Sequence, residues 1–176
     1  MKRLFVIDLK DYDENWERST RPSVRGIIKY GNKFAVVHNQ KYDYYAFPGG
    51  GIEDGEEFYQ ALIREVKEET GLTVIPETIE EFGSALRISS SRIYEKTIFE
   101  QENFYYICQV ESSVEKPKLE DYELEEGLSL AIVSPEEMIR KNKYDDHKEQ
   151  NNSVWIERET RILEMYMEGI NNYNLD

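Results

Sequence analysis

The chain has a single cysteine, Cys108, among 176 residues. No disulfide can form within one copy, which suits a reducing compartment. Cys108 sits in the apolar run Phe104–Val110, where a small buried hydrophobe is expected rather than a reactive thiol. Positive charge is also scarce. Lys and Arg number 22 against 36 Asp and Glu, a net charge of -14. Nucleic-acid polymers need basic surfaces, so that class of partner is excluded. A small phosphate-bearing molecule would be repelled as well, unless a cation mediates. No stretch approaches the ~20 apolar residues of a membrane helix. The N-terminal apolar run is too short for a signal peptide and is broken by Asp8, Lys10 and Asp11. A soluble, cytoplasmic protein without a membrane partner is expected. Repeats and low-complexity tracts are missing too. With 39% hydrophobic residues, 13 Tyr and 7 Phe, the chain is too aromatic to stay disordered. Its length fits one domain spanning 1–176 with a real core, and a C-terminal helical extension from about 134 to 176.

Glycine and proline are absent from Glu56 to Thr70, although they crowd the residues before it: Pro48-Gly49-Gly50-Gly51 and Asp54-Gly55. A helix is therefore expected over Glu56–Thr70, closed by Gly71. Glycines lacking side chains let the backbone turn tightly and approach a ligand or ion. On the helix, Glu65, Glu68 and Glu69 fall on one face beside Ala61, while Tyr59, Leu62, Ile63 and Val66 make an apolar stripe. Like charges at this spacing weaken an isolated helix by a few tenths of a kcal/mol per pair. A hard divalent cation with oxygen ligands would compensate. The alternative for such a run by itself is a solvated acidic face.

Gly50, Glu56, Arg64-Glu65-Val66, Glu68-Glu69 and Gly71-Leu72 stand at spacings of five, seven, one and one intervening residues. This pattern resembles the Nudix box at every fixed position, and Pro48-Gly49-Gly50 looks like the family's approach to it. The box covers only Gly50 to Leu72. The resemblance implies an α/β (α+β) fold, a Nudix α/β/α sandwich with a mixed sheet and a loop–helix–loop box. It implies hydrolysis of a phosphoanhydride with Mg²⁺ or Mn²⁺. Glu65, Glu68 and Glu69, with the Gly49 carbonyl, would hold the metal. Glu65 and Glu68 count as catalytic, and Arg64 would pair with Glu56 to brace the loop. A further glutamate is expected from Asp121–Glu126. Of Glu123, Glu125 and Glu126, the last is favoured because Glu126-Gly127 stands just before a strand.

The rest of the chain reads as short strands and two more helices. Leu4–Leu9, a hairpin over Pro22–Val37, Leu72–Ile75, Phe82–Ile88, Arg92–Ile98, Glu102–Glu111 and Leu128–Val133 carry strand signals. Leu119–Gly127 and Lys141–Asn152 read as loops. Ser134-Pro135-Glu136-Glu137 starts a helix. A last helix, capped by Asn152 or Ser153, would end at Gly169. Substrate contacts are expected from Arg21, Arg25 and Tyr45, with Arg87 and Arg92 as further cations and Tyr42, Tyr44 and Phe47 as further rings. Some Nudix subfamilies carry a proline or tyrosine about sixteen residues past the box; here stands Arg87-Ile88-Ser89. The resemblance thus points first to a nucleoside triphosphate, including an oxidised one such as 8-oxo-dGTP. An ADP-ribose or nucleotide-sugar pyrophosphatase, a non-catalytic nucleotide-binding domain and an acidic interaction surface are the alternatives. A homodimer is compatible with all of them.

Overall fold

The computed structural model describes residues 1–147 and 153–173. Among the described residues, ten strands and four α-helices follow one another: β1 Arg3–Asp8, β2 Glu17–Thr20, β3 Ser23–Tyr30, β4 Lys33–Asn39, β5 Tyr44–Ala46, α1 Phe58–Thr70, β6 Leu72–Val74, β7 Glu80–Ser90, β8 Thr97–Cys108, β9 Val110–Val114, α2 Asp121–Glu126, β10 Leu128–Val133, α3 Pro135–Tyr144 and α4 Ser153–Tyr173. The main sheet is mixed and ordered β1-β7-β8-β3-β4-β10, with β2 paired to β8 and β5 to β4. β6 and β9 form a separate antiparallel pair.

Alternation along the strands sends neighbours to opposite faces. Ile27, Phe34 and Tyr105 join Met138, Ile162, Leu163 and Tyr166 of α3 and α4. Ile28, Ala35 and Tyr106 join Leu62 and Val66 of α1. Helices thus cover both faces, which makes the α/β/α sandwich. The segment expected as a C-terminal extension packs into the first of these two cores, whose filling depends on it.

Several elements differ from the sequence reading. α1 starts at Phe58 rather than Glu56, because Glu56 turns back to accept from the Glu53 N–H. Arg92–Lys96 is a turn between two long strands, and β8 runs from Thr97 without a break. Leu119–Gly127 holds the short helix α2. α3 continues to Tyr144, so Lys141–Tyr144 is helical. α4 runs past Gly169 to Tyr173; a glycine inside a helix costs about 1 kcal/mol against alanine, too little to end a packed helix. Asn152, the other expected cap, lies outside the described residues. Cys108 is buried, and burial pushes its thiol up to about 12.

The glycine segment takes a place in the sheet. β4 pairs with β3 only at Ile28–Tyr30, then moves on to β5. Into the space beside Ser23–Gly26 comes Pro48–Gly51: Gly26 N–H donates to the Pro48 carbonyl at 2.8 Å and Val24 N–H to that of Gly50 at 3.0 Å. The turn is thereby held at the edge of a rigid strand, with α1 behind it.

Candidate functional site

Gly49 has φ 145, and a Cβ there would lie 2.0 Å from the Val24 carbonyl oxygen. Only glycine fits. A Cβ on Gly50 would lie 2.3 Å from Glu65 Oε2, so the bare backbone makes room for that carboxylate. The Gly49 N–H donates to Glu69 Oε2 at 2.7 Å. The carbonyls of Pro48, Gly50 and Gly51 accept from Gly26, Val24 and Arg64; among the described residues no such bond engages the Gly49 carbonyl.

Arg64 organises the outer side of the box. Its guanidinium donates to both Glu56 oxygens at 2.8 Å, to Glu65 at 2.7 Å, to Glu68 at 3.1 Å and to the Gly51 carbonyl at 3.0 Å. That hydrogen bonding holds Glu56 below the usual carboxylate range. The expected Glu56–Arg64 pair is present. Among the described residues, however, the three box glutamates do not converge on one point. Arg64, the strongest local donor, draws Glu68 and one oxygen of Glu65 to itself. Glu69, one position further round the helix, falls on the buried side and is only 6% exposed. Ala61 is part of the core, and Tyr59 lies at the rim against Tyr106.

Glu69 has no ion-pair partner among the described residues. Burial pushes its carboxyl up to about 8, with Glu123 and Glu65 adding to the effect and Arg25 and the Gly49 N–H opposing it. Burial also raises Glu65 against the pull of Arg64 and Arg25. Carboxylates next to a glycine backbone are the hard-oxygen donor type that Mg²⁺ or Mn²⁺ takes, although among the described residues no three acids stand grouped as a metal site.

The site opens into a cavity of about 370 Å³. The glycine turn, Glu69, Glu123 and Glu126 line one part of it; Arg21, Arg25, Trp155 and Arg158 line another. Glu123 and Glu126 of α2 reach it, whereas Glu125 is exposed. Glu123 is 4% exposed, and both its oxygens are occupied, by the Glu120 N–H at 2.8 Å and the Tyr122 hydroxyl at 3.1 Å. Glu126 accepts from Asn39 Nδ2 at 2.6 Å through Oε2 alone.

Of the residues expected to contact substrate, Arg21 and Arg25 stand on the cavity wall. Tyr45 does not. β5 alternates, so Tyr44 faces the cavity while Tyr45 packs in the core beside His38 and joins its backbone to Asn142. Phe47 also lines the cavity but is wholly buried, Tyr42 carries Lys41 over its ring, and Arg87 is buried over Trp155. Three residues had no signal in the sequence: Trp155, Arg158 and Glu159. Glu159 is fully buried and accepts from the Phe47 N–H, the Tyr105 hydroxyl and Arg158 Nε. Burial works against its charge, but Arg158, Arg25 and these hydrogen bonds outweigh it and hold the carboxyl below its ordinary value. α4 thereby anchors the strand that leads into the glycine turn.

Comparison with known proteins gives a consistent result. A family model for the NUDIX domain matches residues 20–154. An ADP-ribose pyrophosphatase of Methanocaldococcus jannaschii is 42% identical over 53 residues, 28% of this chain and 31% of that protein. The match therefore spans under a third of the relative's length. A NUDIX hydrolase from Nitrosomonas europaea superposes with a TM-score of 0.60 at 22% identity, covering 86% of this chain and 90% of the other. A MutT NUDIX hydrolase from Burkholderia pseudomallei gives 0.51 at 12% identity, covering 79% and 97%. The solved structures bear on the fold, and the family model covers most of the chain. With the box complete from Gly50 to Leu72 and the family model matching residues 20–154, the chain belongs to the Nudix family.

Proposed function

We propose that the chain hydrolyses a phosphoanhydride bond in a nucleoside diphosphate linked to another group. A nucleoside triphosphate, oxidised or not, is the first choice, with a nucleoside monophosphate and pyrophosphate as products. The observation that carries this reading is a single cavity with the bare glycine turn and buried acids on one part of its wall and guanidinium groups on another. Nudix hydrolases generally use divalent metals. Glu65, Glu68, Glu69 and the Gly49 carbonyl would hold the ion here, Glu68 after leaving Arg64. Such an ion neutralises phosphate oxygens and acidifies water. Glu123 adds negative charge beside Glu69. Glu126 receives the proton of the attacking water at Oε1, since Asn39 fixes its other oxygen. Arg21 and Arg25 bind phosphate oxygens.

A second reading is favoured by the archaeal relative: ADP-ribose or a nucleotide sugar as substrate. One screen separates the two. Purified chain with Mg²⁺ is offered triphosphates, 8-oxo-dGTP, ADP-ribose and nucleotide sugars, and phosphate release is followed after phosphatase treatment. Folded protein inert on every class refutes both. Glu68→Gln is expected to lose orders of magnitude in rate with its fold intact, which an acidic interaction surface would not do.

A further inference from the structure

α4 brings to the cavity a cation that lies outside the box. Arg158 is 3% exposed and lines the cavity. Its Nε and Nη2 are committed to Glu159 at 2.9 and 2.8 Å. Its Nη1 is buried and, among the described residues, has no hydrogen-bond partner. Arg25 shows the same feature: Nη1 donates to the Phe47 carbonyl at 3.1 Å, while Nε is buried without a partner. A buried guanidinium donor left unmade costs free energy, and a native fold rarely keeps two beside one cavity without a use.

The surroundings favour an anion. Trp155, one turn before Arg158, lines the same cavity, and the guanidinium groups of Arg87 and Arg92 each lie 5.4 Å from its ring centre. Arg87 is 6% exposed, has Ser89 Oγ as its hydrogen-bond partner and leaves Nε unpartnered. Burial, Arg92 and Arg158 together push it down to about 10. Arg87, Arg92 and Arg158 thus stand together on the α4 side, with Glu159 paired to Arg158 and Asp11 attracting Arg87.

We propose that Arg158, with Arg25 and Arg21, forms a subsite for a substrate phosphate outside the scissile link, so that the enzyme prefers nucleotides carrying a further phosphate over those ending in an uncharged sugar. The substrate class rests on the phosphoanhydride reading; the anion site itself does not. Arg158 is a binding residue, and α4 sets specificity as well as closing the core.

Two measurements test this. Inorganic tripolyphosphate is titrated calorimetrically in EDTA into the wild type, Arg158→Lys and the double variant Arg158→Met/Glu159→Gln. The double variant removes the buried pair together and leaves no lone charge behind. Loss of a charge-assisted contact should weaken binding about tenfold or more in both variants. Turnover is then compared on a nucleoside triphosphate and on a nucleoside diphosphate joined to a neutral hexose, with Mg²⁺. The ratio of kcat/KM for the triphosphate to kcat/KM for the hexose compound should fall about tenfold in Arg158→Lys. Tripolyphosphate binding unchanged in either folded variant overturns the proposal. So does an equal change on both substrates, which would mean that Arg158 acts by holding the Phe47 strand. If the wild type is inert on every substrate class of the screen yet binds tripolyphosphate through Arg158, the subsite stands and the pyrophosphohydrolase reading fails.

Discussion

Glu69 should make the metal-free protein lose stability as pH rises. Its carboxyl is raised from 4.5 to about 8, chiefly by burial. Below the unfolded value both states are protonated and the folded state keeps the neutral, comfortable form. Between 4.5 and about 8 the unfolded chain ionises while the folded one resists, so stability falls with pH and is lost through the folded value. At 1.36 kcal/mol per pKa unit the whole loss is about 5 kcal/mol. For a chain of this size that is roughly 10–20 °C in melting temperature. Carboxylates held below their ordinary values, such as Glu56 and Glu159, lose their contribution as pH falls below that window. The assay is a series of thermal melts from pH 5 to 9 in EDTA. The wild type should fall steadily, and Glu69→Gln, which can still accept from the Gly49 N–H, should stay nearly flat. At pH 8.5 the variant should be the more stable protein while being the worse enzyme. If the ionised carboxylate holds Mg²⁺ as proposed, adding the ion should restore the wild type alone. A melting temperature that stays level across this range in EDTA, or identical slopes for wild type and variant, would refute the reasoning.

Three further outcomes are expected. Glu126→Gln should cut kcat by 10²–10⁴ at unchanged melting temperature, as for loss of a general base, whereas Glu123→Gln should mainly change the metal concentration needed for half-maximal rate; the opposite pattern exchanges their roles. Arg64→Met removes five hydrogen bonds, including the paired bond to Glu56. With Arg64 a quarter exposed, about 2–3 kcal/mol should be lost in urea unfolding, and a loss under about 0.5 kcal/mol would show that the brace is dispensable. Gly49→Ala must move the turn off Val24, and a displacement of about 1 Å there should cost on the order of 10²-fold in rate; a variant within threefold of wild type on both kcat and KM contradicts the close-approach argument.

Much of the site was legible because it is local. Helix α1, its end at Gly71 and the Glu56–Arg64 pair depend on residues within a few turns of each other, where spacing alone sets who meets whom. The Ser134 cap of α3 and the strand Leu128–Val133 are of the same kind. Spacing could also place Glu65, Glu68 and Glu69 near the glycine turn. It could not say that Glu69 is buried, or that Arg64 gathers Glu68, because helical periodicity is blind to what covers each face. Tyr44 and Tyr45 show the same limit: adjacent rings are interchangeable in sequence, and only the pairing of β5 with β4 decides which one sees the cavity. Arg158 and Glu159 lie more than 100 residues from the Phe47 strand they hold. No local pattern marks such a pair, since its meaning comes from the docking of α4 on the sheet. The sequence by itself determined that a glycine turn and an acidic helix stand side by side. The tertiary structure decided which acids are desolvated and which cations face them, because burial and long-range contact exist only once both layers of helices have closed on the sheet.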